Sequence, residues 1–224
     1  MAFRTSSLLC AAAGLLLAGA AQAQSAGALI GRISVTQISP DVTSGDLSSP
    51  SFIGTKIDVN SNTQPTAGVT WMYTDNISFD LPLALGFKHE IVGAGGIAGV
   101  GKIGEVKALP MTLLAQYRFF SPTDSIRPYV GLGPTYAKFY KARGTATLTG
   151  LTGGSPTTPT TLSMQSKFTV SAQAGVSVAI DKRWGIDAAV LYTPLKTRGT
   201  LSTGQTIDAK LNPMVYTVGV TYQY

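Results

Sequence analysis

Histidine is the side chain best suited to acid–base catalysis near neutral pH, and this sequence contains one, His89, followed directly by Glu90. A catalytic histidine needs a nucleophile and an orienting acid within hydrogen-bond distance. The nearest candidates, Ser78 and Asp80, fall at the opposite end of the strand that the surrounding residues predict. We therefore predict that the protein is not an enzyme and that His89 is a solvated loop residue.

A glycine-rich stretch at 93–104 contains two apparent nucleotide-binding motifs. The segment GVGKIG at 99–104 matches a dinucleotide fingerprint, and 96–102 nearly forms a phosphate-binding loop. Ile103, however, stands where Ser or Thr must bind magnesium, and neither match lies between a strand and a helix. One histidine and no cysteine beyond residue 23 make a poor transition-metal site. We expect no cofactor and no metal.

The first 23 residues have the pattern of a secretory signal peptide. Arg4 precedes an apolar run at 8–21, and Ala-Gln-Ala at 21–23 forms a small-x-small cleavage site. The run is shorter than the roughly 20 residues that a membrane-spanning helix requires. We predict cleavage after Ala23 and a mature chain that begins at Gln24.

The sole cysteine, Cys10, lies inside this segment. A lipoprotein signal at Cys10 is rejected because Leu9 occupies the position where a small residue is required. The mature chain therefore forms no disulfide, although an exported protein could keep one. Its modest positive charge is spread along the chain, so no nucleic-acid partner is expected.

Composition and periodicity predict a barrel in a membrane. Only 12% of residues are charged, about half the usual share of roughly 25%, yet no apolar run of about 18 residues follows residue 23. Lipid admits only helices and closed barrels, because every backbone hydrogen bond must be satisfied. Apolar side chains instead alternate with small or polar ones in three stretches, at 77–87, 168–180 and 214–224.

Alternate side chains of a strand point to opposite faces, so the apolar set of each stretch is predicted to face lipid. In the first stretch this set is Ile77, Phe79, Leu81, Leu83, Leu85 and Phe87. In the last it is Met214, Tyr216, Val218, Val220, Tyr222 and Tyr224. A final strand that ends in an aromatic residue resembles the signal read by the outer-membrane assembly machinery, which we expect to bind at Tyr224.

We predict an all-β fold, an eight-stranded antiparallel transmembrane β-barrel with short periplasmic turns and long extracellular loops. The strands are placed near 28–38, 66–74, 77–87, 107–119, 127–140, 166–180, 184–195 and 208–224. The periplasmic turns are 75–76, 121–125 and 181–183, and the extracellular loops are 39–65, 88–106, 141–165 and 196–207. Aromatic residues at strand ends fit interfacial girdles: Trp71, Tyr73, Phe119, Tyr129, Tyr136, Trp184, Tyr192, Tyr222 and Tyr224.

Four segments, YTDNISFDLPL at 73–83, GFKHE at 86–90, LPMTLLAQYRF at 109–119 and RPYVGLG at 127–133, resemble the OmpW family of outer-membrane proteins. The resemblance extends over nearly all of the mature chain. It implies an eight-stranded barrel with a narrow, partly hydrophobic interior that helps small apolar compounds cross the outer membrane. The loop at 93–104 departs from the family pattern by its length and glycine content.

Four charged residues are predicted to point inward near the periplasmic ends: Arg32, Asp80, Arg118 and Asp187. The interior of an eight-stranded barrel is barely wide enough for its own side chains, so these opposite charges should pair and plug the barrel. The plug is either a stabilising network or an ion gate. We favour the stabilising network.

Further from the periplasm, the inward positions include Leu114, Leu191, Leu195 and Val215, which is unusual for a polar pore. These side chains either fill the barrel or line a site for an apolar ligand. The residues alone do not separate the two interpretations, and the family resemblance favours a site.

A ligand above a closed plug would have to leave sideways into the membrane. Three prolines, Pro82, Pro110 and Pro213, interrupt the hydrogen bonding of their strands and mark possible lateral gaps. Each proline is equally compatible with a tolerated irregularity in its strand.

Two functions therefore remain. The first is transport of small hydrophobic molecules, and the second is a structural or receptor barrel whose long loops bind surfaces, phages or toxins. A lipid-modifying enzyme is a distant third. In either of the first two cases, we expect the protein in the bacterial outer membrane, in contact with lipid and lipopolysaccharide.

Overall fold

The computed structural model describes residues 24–224. The predicted signal peptide at 1–23 lies outside the described residues. The elements of the described chain are β1 Leu29–Ser39, β2 Thr43–Ser44, β3 Thr55–Val59, β4 Asn62–Met72, β5 Ile77–Leu83, β6 Phe87–Gly95, β7 Lys102–Thr112, β8 Leu114–Arg118, β9 Ile126–Gly144, α1 Ala146–Leu151, β10 Leu162–Met164, β11 Lys167–Ala179, β12 Trp184–Tyr192, β13 Lys196–Leu201, β14 Thr206–Lys210 and β15 Met214–Gln223.

Eight strands form a closed antiparallel ring, which confirms the predicted barrel. Their order around the ring is β1, β4, β5, β8, β9, β11, β12 and β15, and β15 pairs with β1 to complete it. No helix in the described part of the chain has the length and hydropathy needed to cross a bilayer.

The outside of the ring is apolar, because alternate residues of each strand point outward. On β1, Ile33 and Val35 are exposed, whereas Ser34 and Thr36 are buried in the interior. Aromatic rings cluster where the strands meet the short turns: Trp184 packs 4.9 Å from Tyr222, which packs 4.9 Å from Tyr224. Such clusters suit the boundary between lipid and water.

Beyond the ring, the wall continues as two outer sheets, of which the first is continuous with the ring through β9 and the second is separate. One joins β3, β6 and β7 to the long strand β9, and the other has the order β10, β13, β14, β2. Much of the predicted loops at 88–106 and 196–207 is therefore strand. The prediction of loops there was wrong because the outward residues of these strands are charged, as Lys88 is, so the lipid-facing pattern stops although the strand does not.

The prediction that Phe87 faces lipid was also wrong, because its side chain points inward and is 1% exposed. The predicted strand at 77–87 ends at Leu83, and a new strand begins at Phe87. Asp80 and Pro82 point inward before this break, and Phe87 and His89 do so after it. The irregular residues 84–86 therefore exchange the two faces of the chain.

Candidate functional site

Arg32 lies at the centre of a buried ionic cluster near the periplasmic end of the barrel. Its Nη2 is 3.2 Å from Asp80 Oδ2, and its Nη1 is 3.2 Å from Asp187 Oδ1. Asp80 also accepts a hydrogen bond of 2.6 Å from the Thr70 hydroxyl. Gly68 provides space for the guanidinium group, since a Cβ there would lie 2.8 Å from Arg32 Nη2. Buried charges of this kind are stable only when paired.

Arg118, the fourth predicted member of this cluster, has no carboxylate within ion-pair distance among residues 24–224. It donates instead to neutral oxygens, from Nε to Ser78 (3.0 Å), from Nη1 to Ser177 (2.9 Å) and Gln24, and from Nη2 to Gln116. Its guanidinium carbon lies 4.7 Å from the centre of the Tyr129 ring, a cation–π geometry. The prediction that all four charges pair directly was therefore wrong for Arg118.

Tyr129 completes the cluster from the inside of the barrel, so its assignment to the outer aromatic girdle was wrong. The side chain is 1% exposed, and its hydroxyl donates to Asp187 at 3.0 Å. Gly175 makes room for it, because a Cβ there would lie 2.4 Å from the ring. Buried Arg127, also missed, closes the periplasmic side by donating to the backbone oxygens of Gln24 and Asp75. We call this assembly, Arg32, Asp80, Arg118, Arg127, Tyr129 and Asp187, the ionic floor.

Above the ionic floor lies an apolar cavity of about 110 Å³, the lower cavity. Leu191, Leu195 and Val215 line it, as predicted. Leu114 is fully buried but is not part of the lining. The reason is its height in the barrel, since Leu114 pairs across the sheet with Asp80 of the ionic floor. Further apolar lining comes from Ile38, Val59, Phe87, Val106, Phe139 and Leu211.

His89 is on the wall of the lower cavity, so its prediction as a solvated loop residue was wrong. It points inward from β6, is 4% exposed and stacks on Phe87 with the ring centres 6.4 Å apart. Its Nδ1 lies 2.8 Å from the Asn60 carbonyl oxygen. Burial lowers the pKa of His89, and the hydrogen bond to Asn60 opposes that shift. A neutral imidazole fits an apolar wall.

A second apolar cavity of about 220 Å³, the upper cavity, lies between the two outer sheets. Its walls include Ile91 and Ile103 from one sheet and Leu201 and Ile207 from the other. Phe52 also contributes to the lining, and it is 88% exposed at the extracellular end. The Met164 side chain borders both cavities. Apolar side chains therefore line the interior from the loop end into the lower cavity. Nearer the ionic floor, hydroxyl groups such as those of Thr36, Thr66 and Thr217 join the lining and hydrogen-bond to one another.

The barrel wall is interrupted at residues 84–86, which we call the wall break. On one side, the pairing of β5 with β4 ends at Leu83, and the pairing of β6 with β3 begins at Ile91. On the other side, the pairing of β5 with β8 ends at Asp80, and the pairing of β6 with β7 begins at Phe87. The Gln64 side chain spans the wall break, where its Nε2 donates to the Leu85 carbonyl oxygen at 2.6 Å.

Two of the three predicted prolines flank the wall break. Pro82 and Pro110 both line the lower cavity beside it, together with Ala84. Pro213 also lines this cavity, but the wall beside it is closed. Its carbonyl accepts from Thr193 at 3.2 Å, and its neighbour Asn212 accepts through Oδ1 from the Leu195 amide at 3.1 Å. The prediction of a gap at Pro213 was therefore wrong.

Residues 24–224 contain no group of three or more His, Cys, Asp or Glu side chains placed to hold a metal ion. The ionic floor, in particular, combines carboxylates with guanidinium groups, which compete with a metal for the same oxygens.

Comparisons with known proteins agree with this architecture. A sequence model of the OmpW family matches residues 25–224. Outer membrane protein W of Vibrio cholerae is 34% identical over 175 residues, which cover 75% of this chain and 77% of that protein. Outer membrane protein W of Escherichia coli K12 is 30% identical over 213 residues, covering 93% and 94%. The crystal structure of the outer membrane protein OprG from Pseudomonas aeruginosa superposes with a TM-score of 0.81 at 27% identity, covering 91% of this chain and 99% of that one.

Proposed function

This chain belongs to the OmpW family and is a protein of the bacterial outer membrane, and we propose that its barrel transports small hydrophobic molecules by binding them inside and releasing them sideways into the membrane. The observation that carries the proposal is the lower cavity, an apolar space enclosed by the barrel, closed below by the ionic floor and bordered by the wall break. Transport of this kind needs neither a cofactor nor catalysis.

The size and lining of the two cavities suit small apolar ligands. Engineered apolar cavities of about 150 Å³ stay dry and bind benzene, and the cavities here measure about 110 and 220 Å³. Each CH₂ group removed from water contributes about 0.8 kcal/mol to binding. A single ring or a short alkyl chain is therefore the expected ligand. Between the two cavities the ligand would pass Met164, whose side chain is flexible and apolar.

The wall break offers an exit that the ionic floor does not. Passage of a ligand through the ionic floor would separate Arg32 from Asp80 and Asp187, and breaking these buried ion pairs would cost several kcal/mol. The outward side chains beside the wall break, Leu83 and Leu85, are exposed and apolar. A molecule leaving between Pro82 and Pro110 would therefore enter the hydrocarbon region of the bilayer directly.

Uptake of an apolar fluorescent dye into liposomes that contain the purified barrel tests the transport. We expect faster uptake than in protein-free liposomes, a large loss for Leu191→Asp and little change for Leu191→Met, which keeps the wall apolar. Uptake equal to that of protein-free liposomes, together with no effect of Leu191→Asp, would remove the proposal.

The sideways exit is tested with pairs of cysteines joined by a bifunctional thiol reagent, because the mature chain has no cysteine of its own. In the test variant, Thr66→Cys and Ala84→Cys are cross-linked across the wall break. In the control variant, Thr36→Cys and Thr217→Cys are cross-linked between two strands that are already paired. All four positions line the lower cavity. We expect cross-linking of the first pair alone to stop dye uptake. Equal uptake with both cross-links would exclude the wall break as the exit.

A receptor function is the second candidate, and the exposed apolar tip of the first extracellular loop favours it. Phe52 and Ile53 are 88% and 95% exposed there. Phe52→Ser with Ile53→Ser should abolish adhesion of barrel-bearing liposomes to host cells, phages or toxins if the tip binds them. Unchanged adhesion would argue against this candidate.

A further inference from the structure

We propose that an open cleft on the outward face of the second outer sheet binds the phosphorylated headgroup of an outer-leaflet glycolipid, the lipid A part of lipopolysaccharide. The cleft has a volume of about 660 Å³. Four cationic side chains line it, Lys167, Lys196, Arg198 and Lys210, against one carboxylate, Asp208. We call this surface the basic cleft.

The single carboxylate is already occupied. Asp208 accepts two hydrogen bonds from Arg198, at 2.6 Å from Nε and 2.7 Å from Nη2. Lys167, Lys196 and Lys210 have no carboxylate within ion-pair distance among the described residues. The basic cleft therefore has an excess of three positive charges.

Two of these lysines are placed where proteins normally avoid like charges. Lys196 and Lys210 are directly opposed partners of the β13–β14 ladder, and opposed like charges destabilise an antiparallel pair. The next rung on the same face of the sheet is the oppositely charged Arg198–Asp208 pair. A phosphate group between Lys196 and Lys210 would turn this repulsion into two charge-assisted hydrogen bonds.

Lysines on the opposite side of the barrel differ in this respect. Lys88 lies 2.8 Å from Glu105, and Lys102 contacts both Glu105 and Glu90 within 2.9 Å. Lys88 also faces a lysine, Lys107, across the β6–β7 ladder, but Glu105 neutralises Lys88 there. In the basic cleft neither lysine of the opposed pair has a carboxylate partner among the described residues, so an external anion is needed there.

The position of the basic cleft selects a lipid as the source of the anion. The outward residues directly on its membrane side, Phe168, Val170 and Tyr192, are exposed and largely apolar. The cleft therefore lies where the hydrocarbon region ends and headgroups begin, on the side away from the short turns. Acyl chains can pack on Phe168 and Val170 while the phosphates reach the lysines, and polar Thr43 and Gln165 in the cleft can contact sugar hydroxyls.

The test measures binding of fluorescent diphosphoryl lipid A to the full barrel in phosphatidylcholine nanodiscs. Lys196→Gln with Lys210→Gln removes two charges from the basic cleft, and Lys88→Gln with Lys107→Gln removes two from another directly opposed pair. We expect the first double variant to weaken binding about tenfold or more, as loss of charge-assisted bonds implies, and the second to change it less than about twofold. Circular dichroism and wild-type dye uptake establish that both variants are folded and keep the proposed transport function.

Two further arms identify the ligand. Dephosphorylated lipid A should bind as weakly to the wild type as lipid A does to the Lys196/Lys210 variant, and inorganic phosphate should compete only at far higher concentration. Equal losses in both double variants would reduce the site to general surface charge and overturn the proposal. Competition by inorganic phosphate at the same concentration as lipid A would overturn the assignment to a lipid.

Discussion

Replacing Arg32 by Met should destabilise the barrel strongly, because Arg32 is the charged partner of two buried carboxylates. Asp187 would keep the hydroxyl donors of Tyr129 and Ser177, but Asp80 would keep only the Thr70 hydroxyl among the described residues. Removing one partner of a buried ion pair typically costs about 3–5 kcal/mol. We expect a decrease of this size in the free energy of unfolding, measured by urea titration of the barrel in lipid vesicles.

A matched variant makes the measurement decisive. Arg198→Met breaks an ion pair with shorter contacts, at 2.6 and 2.7 Å to a single carboxylate. Its side chains are 53% and 65% exposed, and exposed pairs contribute less than about 1 kcal/mol. Adding Asp80→Asn to Arg32→Met should recover at least about 1 kcal/mol, because the amide carries no unpaired charge. Equal small losses for Arg32→Met and Arg198→Met would refute the reasoning that burial makes Arg32 essential.

The same variant separates the two interpretations of the ionic floor. A stabilising network predicts that Arg32→Met lowers stability and leaves ion conductance across a planar bilayer at the wild-type level. An ion gate predicts a clear rise in conductance. We expect the first outcome, since Arg118, Arg127 and Tyr129 still fill the barrel below the cavity.

Further predictions concern the packing, the outer sheets and assembly. Gly175→Ala places a methyl group against the Tyr129 ring and should cost about 1–3 kcal/mol of unfolding free energy in the same titration; no loss would show that the ring can shift freely. Hydrogen bonds from Lys102 and Lys88 lower the pKa of Glu105 to about 2, so its contribution to stability is present above about pH 4.5 and lost as the pH falls towards 2. Glu105→Gln should therefore be less stable than the wild type at pH 7, by a difference that shrinks as the pH falls through about 2. A difference as large at pH 2 as at pH 7 would contradict this assignment. Tyr224→Ala should slow insertion by purified assembly machinery without changing the stability of the folded barrel, because Tyr224 is 80% exposed; unchanged insertion kinetics would exclude Tyr224 as the recognition signal.

The ring of eight strands was predictable because lipid imposes a simple rule on the outer face. Every second residue must be apolar, and the stretch from Met214 to Tyr224 obeys this rule without interruption. The rule fails where the backbone is irregular or where lipid ends. Phe87 follows the irregular residues 84–86, which exchange the two faces, and Lys88 lies on a strand that has left the membrane.

The ionic floor was predictable in part, for the same reason. Arg32, Asp80 and Asp187 occupy inward positions of regular strands, and the structure places them in contact. Tyr129 was missed because an aromatic residue near a strand end is equally typical of the girdle. Its neighbours Gly131, Gly133 and Thr135 indicate the inward face, since small and polar residues mark the crowded interior. The wall break depends on pairing between distant strands, which a single sequence does not reveal.

Strand β9 is 19 residues long, which is roughly 60 Å of chain at about 3.3 Å per residue. Inclined by about 40°, such a strand rises roughly 45 Å, whereas the apolar band of an outer-membrane barrel is only about 25 Å tall. The rim thus stands well clear of the bilayer, within the carbohydrate coat that surrounds the cell. Under the proposed function, we expect an apolar solute from the medium to enter the upper cavity at this rim without crossing the hydrated sugars.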